Sequence, residues 1–239
     1  MDALDRVAGP ALDLLARVDD QLTRHGAAAA DPVWPLLRQV RALPGDAVAA
    51  FRAVRPAPLT AAGDAIRPHL DGYAEAADAL AGRVDWSGAA AQAYDTVRAA
   101  LATRLIGNGL TAGPGSLAGS LSATAGYAEA LAAWVSSSRS ALAVVLADAL
   151  RSTEATTLVT AGVPGVAAEF SGVREAADAA AALAVPVLAV LLEIAERGEE
   201  LLAQWRPRLA PAGAAGMAGV APAPGTAGMR LDGVTRLRY

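Results

Sequence analysis

Cysteine is absent from the 239-residue chain, which excludes a disulfide scaffold and any thiolate zinc site and leaves the redox compartment open. Lysine is absent too: every basic residue is an arginine, a usage that reads as a genome-level GC bias rather than a functional signal. Histidines number 2 and aromatics make up 4%, so imidazole chemistry and a thick aromatic core are both poorly supplied. A membrane-spanning segment is not expected either. The most apolar stretch, residues 179–192, is about 14 residues long, contains Pro186 and lies between Asp178 and Glu193, short of the ~20 residues a bilayer requires. Residues 1–6 carry two aspartates and no apolar run, so a cleaved Sec-type signal peptide is not expected. The net charge of −4 comes with scattered arginines, whereas a nucleic-acid footprint needs a clustered basic face.

What the chain does have is apolar and small. Hydrophobic residues make up 54%, and roughly a quarter of the chain is alanine, the best helix former. Such a composition predicts an all-α, elongated antiparallel bundle of closely spaced helices.

The 3.6-residue period supports this along most of the chain. Leu4, Ala8, Ala11, Leu15, Val18 and Leu22 form one stripe, with Gly9-Pro10 predicting a kink or restart inside it. Asp31-Pro32 reads as an N-cap and N1 pair for a short helix through Val33, Leu36, Leu37 and Val40, stopped at Pro44-Gly45. Asp46 is placed to cap the next, with Val48, Phe51 and Val54, which Pro56-Ala57-Pro58 closes. From Thr60 a heptad-spaced stripe of Ile66, Leu70, Tyr73, Ala77, Leu80 and Val84 predicts an amphipathic helix, kinked or restarted at Pro68. A second stripe, Ala90, Tyr94, Val97, Leu101 and Leu105, follows the break at residues 85–88 and predicts the returning arm of an antiparallel hairpin.

The glycine-rich stretch 107–115 breaks that arm. The period then resumes from Leu117 through Leu142 and Ala149 and fades near residue 161, a helix of about 60 Å. Pro164 is placed near an N1 position for a last long face from Val166 to Ile194, Leu202 and Trp205, with Pro186 expected to bend it. Trp34, Trp134 and Trp205 read as anchors within helices. Four regions result: residues 1–57, short helices; 58–161, a hairpin with a long second arm; 162–208, a third long helix; and 209–239, an Ala/Gly/Pro-rich tail expected to be disordered. Residues 229–239 stand apart, with Arg230, Arg236 and Arg238 against Asp232 and a possible turn at Asp232-Gly233.

Trp86-Ser87-Gly88 lies where the two stripes meet. Ser87 is placed to cap the second arm, Gly88 to remove a side chain where the arms approach, and Trp86 to close the hairpin end or enter a partner's groove. With Ala90, Ala91 and the aromatic Tyr94, this run resembles the WXG family of helical-hairpin proteins associated with type VII secretion in actinobacteria and their relatives. The resemblance implies a hairpin that pairs with another helical hairpin or with itself, as a substrate or accessory of the type VII apparatus. It also implies a cytoplasmic protein exported without a Sec signal. The family's tyrosine with an acid four residues later is not found: Tyr73 is followed at that spacing by Ala77, Tyr94 by Arg98 and Tyr127 by Leu131. Whether the chain carries an export signal or travels with a partner that does is left open.

Other chemical signals favour plain readings. His25 and His69 read as solvated surface residues, and residues 107–115 lack the lysine of a phosphate-binding loop. Neither a cofactor nor a metal is expected, and no catalytic residue is assigned. Ser136, Ser137, Ser138, Arg139 and Ser140 interrupt a long apolar helix, as a packing or hinge segment or as a buried polar layer that fixes register. Glu193, Glu196, Arg197, Glu199 and Glu200 read as a solvated face. The expectation is a non-enzymatic type VII secretion-associated protein with Trp86, Ser87, Gly88 and Tyr94 at its partner-binding turn. A membrane-active helical protein and a cytoplasmic scaffold or immunity-type partner are the alternatives.

Overall fold

The stripe from Leu4 to Leu22 folds as one helix, α1 (Ala3–Arg24), and all six of its residues are buried. The computed structural model describes residues 1–82, 85, 87–108, 112–161 and 170–210, and among these the chain is all-α. Seven helices follow α1 among the described residues: α2 (Val33–Val40), α3 (Pro44–Ala53), α4 (Ala57–Ala81), α5 (Ala89–Ile106), α6 (Leu117–Arg151), α7 (Thr153–Ala161) and α8 (Phe170–Trp205).

Prolines interrupt these helices less than their chemistry suggests. Pro10, Pro68 and Pro186 all lie inside continuous helices. Each is exposed, so the carbonyl left without its N–H partner is open to water. The expected restart at Gly9-Pro10 therefore does not occur, and α4 begins at Ala57 rather than at Thr60 or Pro68. The expected 60 Å helix is divided instead at Ser152. Its extended backbone ends α6, and its hydroxyl accepts from the Ala155 N–H at 3.1 Å to start α7. Pro164, Val84 and the tail beyond residue 210 lie outside the described residues.

Side chains that cap helices come from further away than expected. Asp31 accepts from the Val33 N–H at 2.8 Å, but Asp46 does not cap α3, which already starts at Pro44. The carboxylate there is Asp19 of α1, which accepts from the Gly45 N–H at 3.0 and 3.2 Å. A Cβ at residue 45 would stand 2.5 Å from Asp19 Oδ2, so only glycine permits this approach. Burial raises the Asp19 carboxyl to about 6, with the Gly45 N–H opposing and the Asp46 charge reinforcing the shift. Ionised Asp19 therefore costs the folded state stability as pH rises from about 4 through 6. Asp19→Asn is expected to remove that loss, leaving the variant about 1 kcal/mol more stable relative to wild type at pH 7 than at pH 4, the shift being worth less than its full value because the carboxylate is only half-buried and partly screened by solvent. Urea melts at the two pH values measure this, and an unchanged difference would rule it out.

α6 is the spine of the molecule. Its C-terminal half, with Leu142, Ala143, Leu146 and Ala149, packs between α1 and α8, and Val33 of α2, Val48 of α3 and Leu158 of α7 complete the buried apolar cluster. Residues 179–192, the most apolar stretch, supply Ala180, Leu183, Ala184, Val187, Leu188 and Leu191 to it. The N-terminal region thus contributes directly to the core. The N-terminal half of α6 carries α4, on which α5 packs. No residue of α4 or α5 belongs to the cluster.

Tryptophan-on-glycine contacts set the register. Trp134 of α6 lies over Gly198 of α8 and donates to the Ile194 carbonyl at 3.3 Å, while Trp205 of α8 lies over Gly126 of α6. Residue numbers rise along one helix as they fall along the other, so α6 and α8 are antiparallel. Trp34 sits over Gly26 and donates to the Ala28 carbonyl at 2.9 Å, closing the turn after α1. A Cβ at residue 198 would meet the Trp134 ring at 2.9 Å. Overpacking costs roughly 1–3 kcal/mol, against the ~1 kcal/mol that alanine gains over glycine in a helix. Gly198→Ala is expected to lose about 1 kcal/mol net and to shift the tryptophan emission. A gain in melting temperature would show that the ring yields freely.

Candidate interaction site at the hairpin and its anchorage

The site predicted from sequence is the turn between α4 and α5. Arg98 of α5 donates from Nε to the Leu80 carbonyl at 2.8 Å, and its Nη2 bonds the Leu80 and Gly82 carbonyls. Leu105, further along α5, faces Pro68, Gly72 and Tyr73 of α4. The two helices are therefore antiparallel, as a hairpin requires.

Arg98 is the residue that sequence reasoning missed. The last carbonyls of α4 have no partner within their own helix, and a guanidinium provides charge-assisted donors at the negative end of the helix dipole. Asp95 lies 3.7 Å from its Nη1 and the Tyr94 ring lies 5.6 Å from its Cζ. The only signal in the sequence was an arginine four residues after Tyr94, one helical turn further along α5.

The turn residues differ from expectation in mechanism. Ser87 does not cap α5: the N-cap is Gly88, with no side-chain hydrogen bond. Nor does Gly88 make room for an approaching arm among the described residues, none of which lies within 4 Å of where its Cβ would stand. Its φ of 111° is the reason for glycine, a conformation that L side chains rarely adopt. Trp86 lies outside the described residues.

Four of the five residues of the expected apolar stripe of α5 face outward, and only Leu105 turns toward α4. Val97 is 66% exposed, Tyr94 48% and Leu101 45%, and Ala90 is exposed as well. The inner face is Ala91, Arg98, Ala102 and Leu105, about a quarter turn round the helix. Alanine allows the close approach, and the Arg98 bonds hold the helix in this rotation. A run of exposed apolar side chains on one helix face is what an association surface presents.

The other notable polar cluster anchors the body. Arg139 in α6 is 1% exposed. Its Nε donates to Asp2 Oδ2 at 2.5 Å, its Nη2 to Asp2 Oδ1 at 3.1 Å and Asp5 Oδ1 at 3.0 Å, and its Nη1 to the Arg52 and Val54 carbonyls at 2.8 and 2.9 Å. All five guanidinium donors are used. Asp2 is itself the N-cap of α1, and the two carbonyls end α3. Arg55 joins the cluster by donating to both Asp5 oxygens. Of the five polar residues in this run only Ser138 and Arg139 are buried, with Ser136, Ser137 and Ser140 exposed, so the polar layer narrows to these two, and Arg139 ties α1, α3 and α6 together.

Groups suited to chemistry are sparse. His25 and His69 are exposed, and among the described residues no group of three or more His, Asp and Glu is arranged to hold a metal ion. The run at Glu193, Glu196, Arg197, Glu199 and Glu200 is exposed, as expected of a solvated face. Comparison with family models, curated proteins and solved structures finds no match to this chain.

Proposed function

We propose that the chain is a non-enzymatic protein that acts through helix-to-helix association, and that the association belongs to a type VII secretion apparatus as substrate or accessory. The observation that carries the first part is the outward stripe Tyr94, Val97 and Leu101 on a hairpin that adds nothing to the buried cluster. The second part rests on the resemblance of residues 86–94 to the WXG hairpin turn. Burying one such side chain contributes roughly 1.5–3 kcal/mol, whereas association costs 4–15 kcal/mol or more. Because the three are already about half covered, they contribute together no more than about 5 kcal/mol, and a partner has to cover more of the hairpin than this stripe.

Val97→Asp with Leu101→Asp is expected to raise the dissociation constant for a helical-hairpin partner, encoded by a neighbouring gene, at least tenfold. The melting temperature should stay unchanged because both residues are exposed. Light scattering of the mixture measures this, and a chain monomeric both alone and with that partner overturns the association. Comparing culture supernatants of secretion-competent and secretion-deficient cells separates an exported substrate from a cytoplasmic scaffold.

One observation favours a membrane reading: α6 and the Gly172–Trp205 part of α8 are long and apolar enough to cross a bilayer. Their apolar residues already pack against each other and α1, and flotation with liposomes would reveal insertion.

A further inference from the structure

An open apolar groove of about 510 Å³ runs between α4, α5 and α6, lined by Pro68, His69, Gly72, Tyr73, Leu105 and Leu121 among others. Its α4 side is bordered by acid. Asp64, Asp71, Glu75 and Asp78 recur at helical spacing along one stripe, beside the Pro68–Gly72 edge of the groove. The only arginine on α4 is Arg67, which is paired with Asp64 and Glu129. Asp71, Glu75 and Asp78 are exposed, and among the described residues none forms an ion pair. The groove thus combines an apolar floor with a rim of uncompensated negative charge.

The chain itself contains a segment of matching chemistry. Residues 229–239 hold Met229, Leu231, Val234, Leu237 and Tyr239 with three arginines, Arg230, Arg236 and Arg238, against the single acid Asp232. The described residues end at 210, just past Trp205, which is packed on Gly126 of α6 and on the Tyr127 ring. Leu121, in the groove, lies about 8 Å along α6 from Gly126, on another face. The intervening residues 211–228 are rich in Ala, Gly and Pro, and a flexible chain of about 18 residues has an r.m.s. reach of ~25 Å. Tethering over such a distance gives an effective concentration on the order of millimolar, so weak docking suffices.

We infer that residues 229–239 dock along the α4–α5–α6 groove, with their apolar side chains on its floor and Arg230, Arg236 and Arg238 against Asp71, Glu75 and Asp78. The inference goes beyond the association reading and does not depend on it.

The absence of cysteine makes the test direct, since Thr235→Cys supplies the only thiol for a nitroxide label. In the full-length chain, amide signals of His69, Gly72, Tyr73 and Leu105 are expected to lose at least four-fifths of their intensity to paramagnetic broadening, while those of α1 keep theirs. The signals should recover in a variant with Arg230, Arg236 and Arg238 changed to Glu. They should also recover when Asp71 and Glu75 are changed to Arg, exposed substitutions whose folding is checked by circular dichroism. Uniform broadening overturns the inference. So does broadening at the acidic cleft of Glu154, Glu175 and Asp178, and so does broadening that appears only when labelled and isotope-enriched chains are separate molecules.

Discussion

Replacing Arg139 by methionine is expected to lower the unfolding free energy by about 3–5 kcal/mol, the cost of removing one member of a buried, hydrogen-bonded ion cluster. The side chain is 1% exposed and uses all five donors. Without it, the Arg52 and Val54 carbonyls lose their charged partner, and Asp2 and Asp5 face an apolar side chain. Arg139→Lys should recover only part of the loss, because an ammonium has three donors and no planar fork to match Asp2 on two sides. The pH dependence adds a second readout. Its hydrogen bond to Arg139 holds the Asp2 carboxyl well below the usual carboxylate range, with burial opposing and the Asp5 N–H assisting. A carboxylate with a lowered folded pKa stabilises the fold above its ordinary value near 4, and the contribution disappears as pH falls through the depressed value. Wild type and Arg139→Met should therefore converge in strong acid and differ most near neutrality. A loss under 1 kcal/mol by urea unfolding at pH 7 would show that the cluster is no more than a surface ion pair.

The reach of the sequence can be judged from particular residues. The α1 stripe was legible because leucine and valine recur on one face and all six positions are buried. The α5 face was not, because the alanines among its 18 residues are spread all round the helix. Ala90, Tyr94, Val97 and Leu101 make one heptad-like series, and Ala91, Arg98, Ala102 and Leu105 make another about a quarter turn away. Apolarity favours the first series, which holds the tyrosine, the valine and a leucine, and the Arg98 bonds to the end of α4 override that preference. A polar layer at Arg139 was an open alternative from composition, but its carboxylates lie 137 and 134 residues away. The same two aspartates had counted only as evidence against a signal peptide. Long-range partners of this kind leave no periodic trace. At the hairpin turn the sequence located the glycine, while the physical reason is its positive φ rather than crowding.

Leu15→Ala should be among the most destabilising single changes in the molecule, costing about 2–5 kcal/mol, and it tests which part of the chain is the core. Leu15 is 1% exposed on α1, inside the cluster shared with α6 and α8, and its Cβ lies close under Gly45 at the start of α3. Truncation removes the transfer free energy of three carbons and leaves a cavity. The surrounding wall cannot close it easily, because Val18, Val48 and Leu188 are themselves fully buried and packed from several helices. Leu101→Ala provides the contrast: that side chain is 45% exposed on α5, and its removal should change stability by no more than about 0.5 kcal/mol. A large cost at Leu15 with almost none at Leu101 is expected if residues 1–57 are part of the folded body and the outer face of the hairpin is kept for association. The opposite ordering would make the hairpin the stable unit and the N-terminal helices its appendage, and would remove the structural argument for an association surface at the exposed side chains of Val97 and Leu101 on α5.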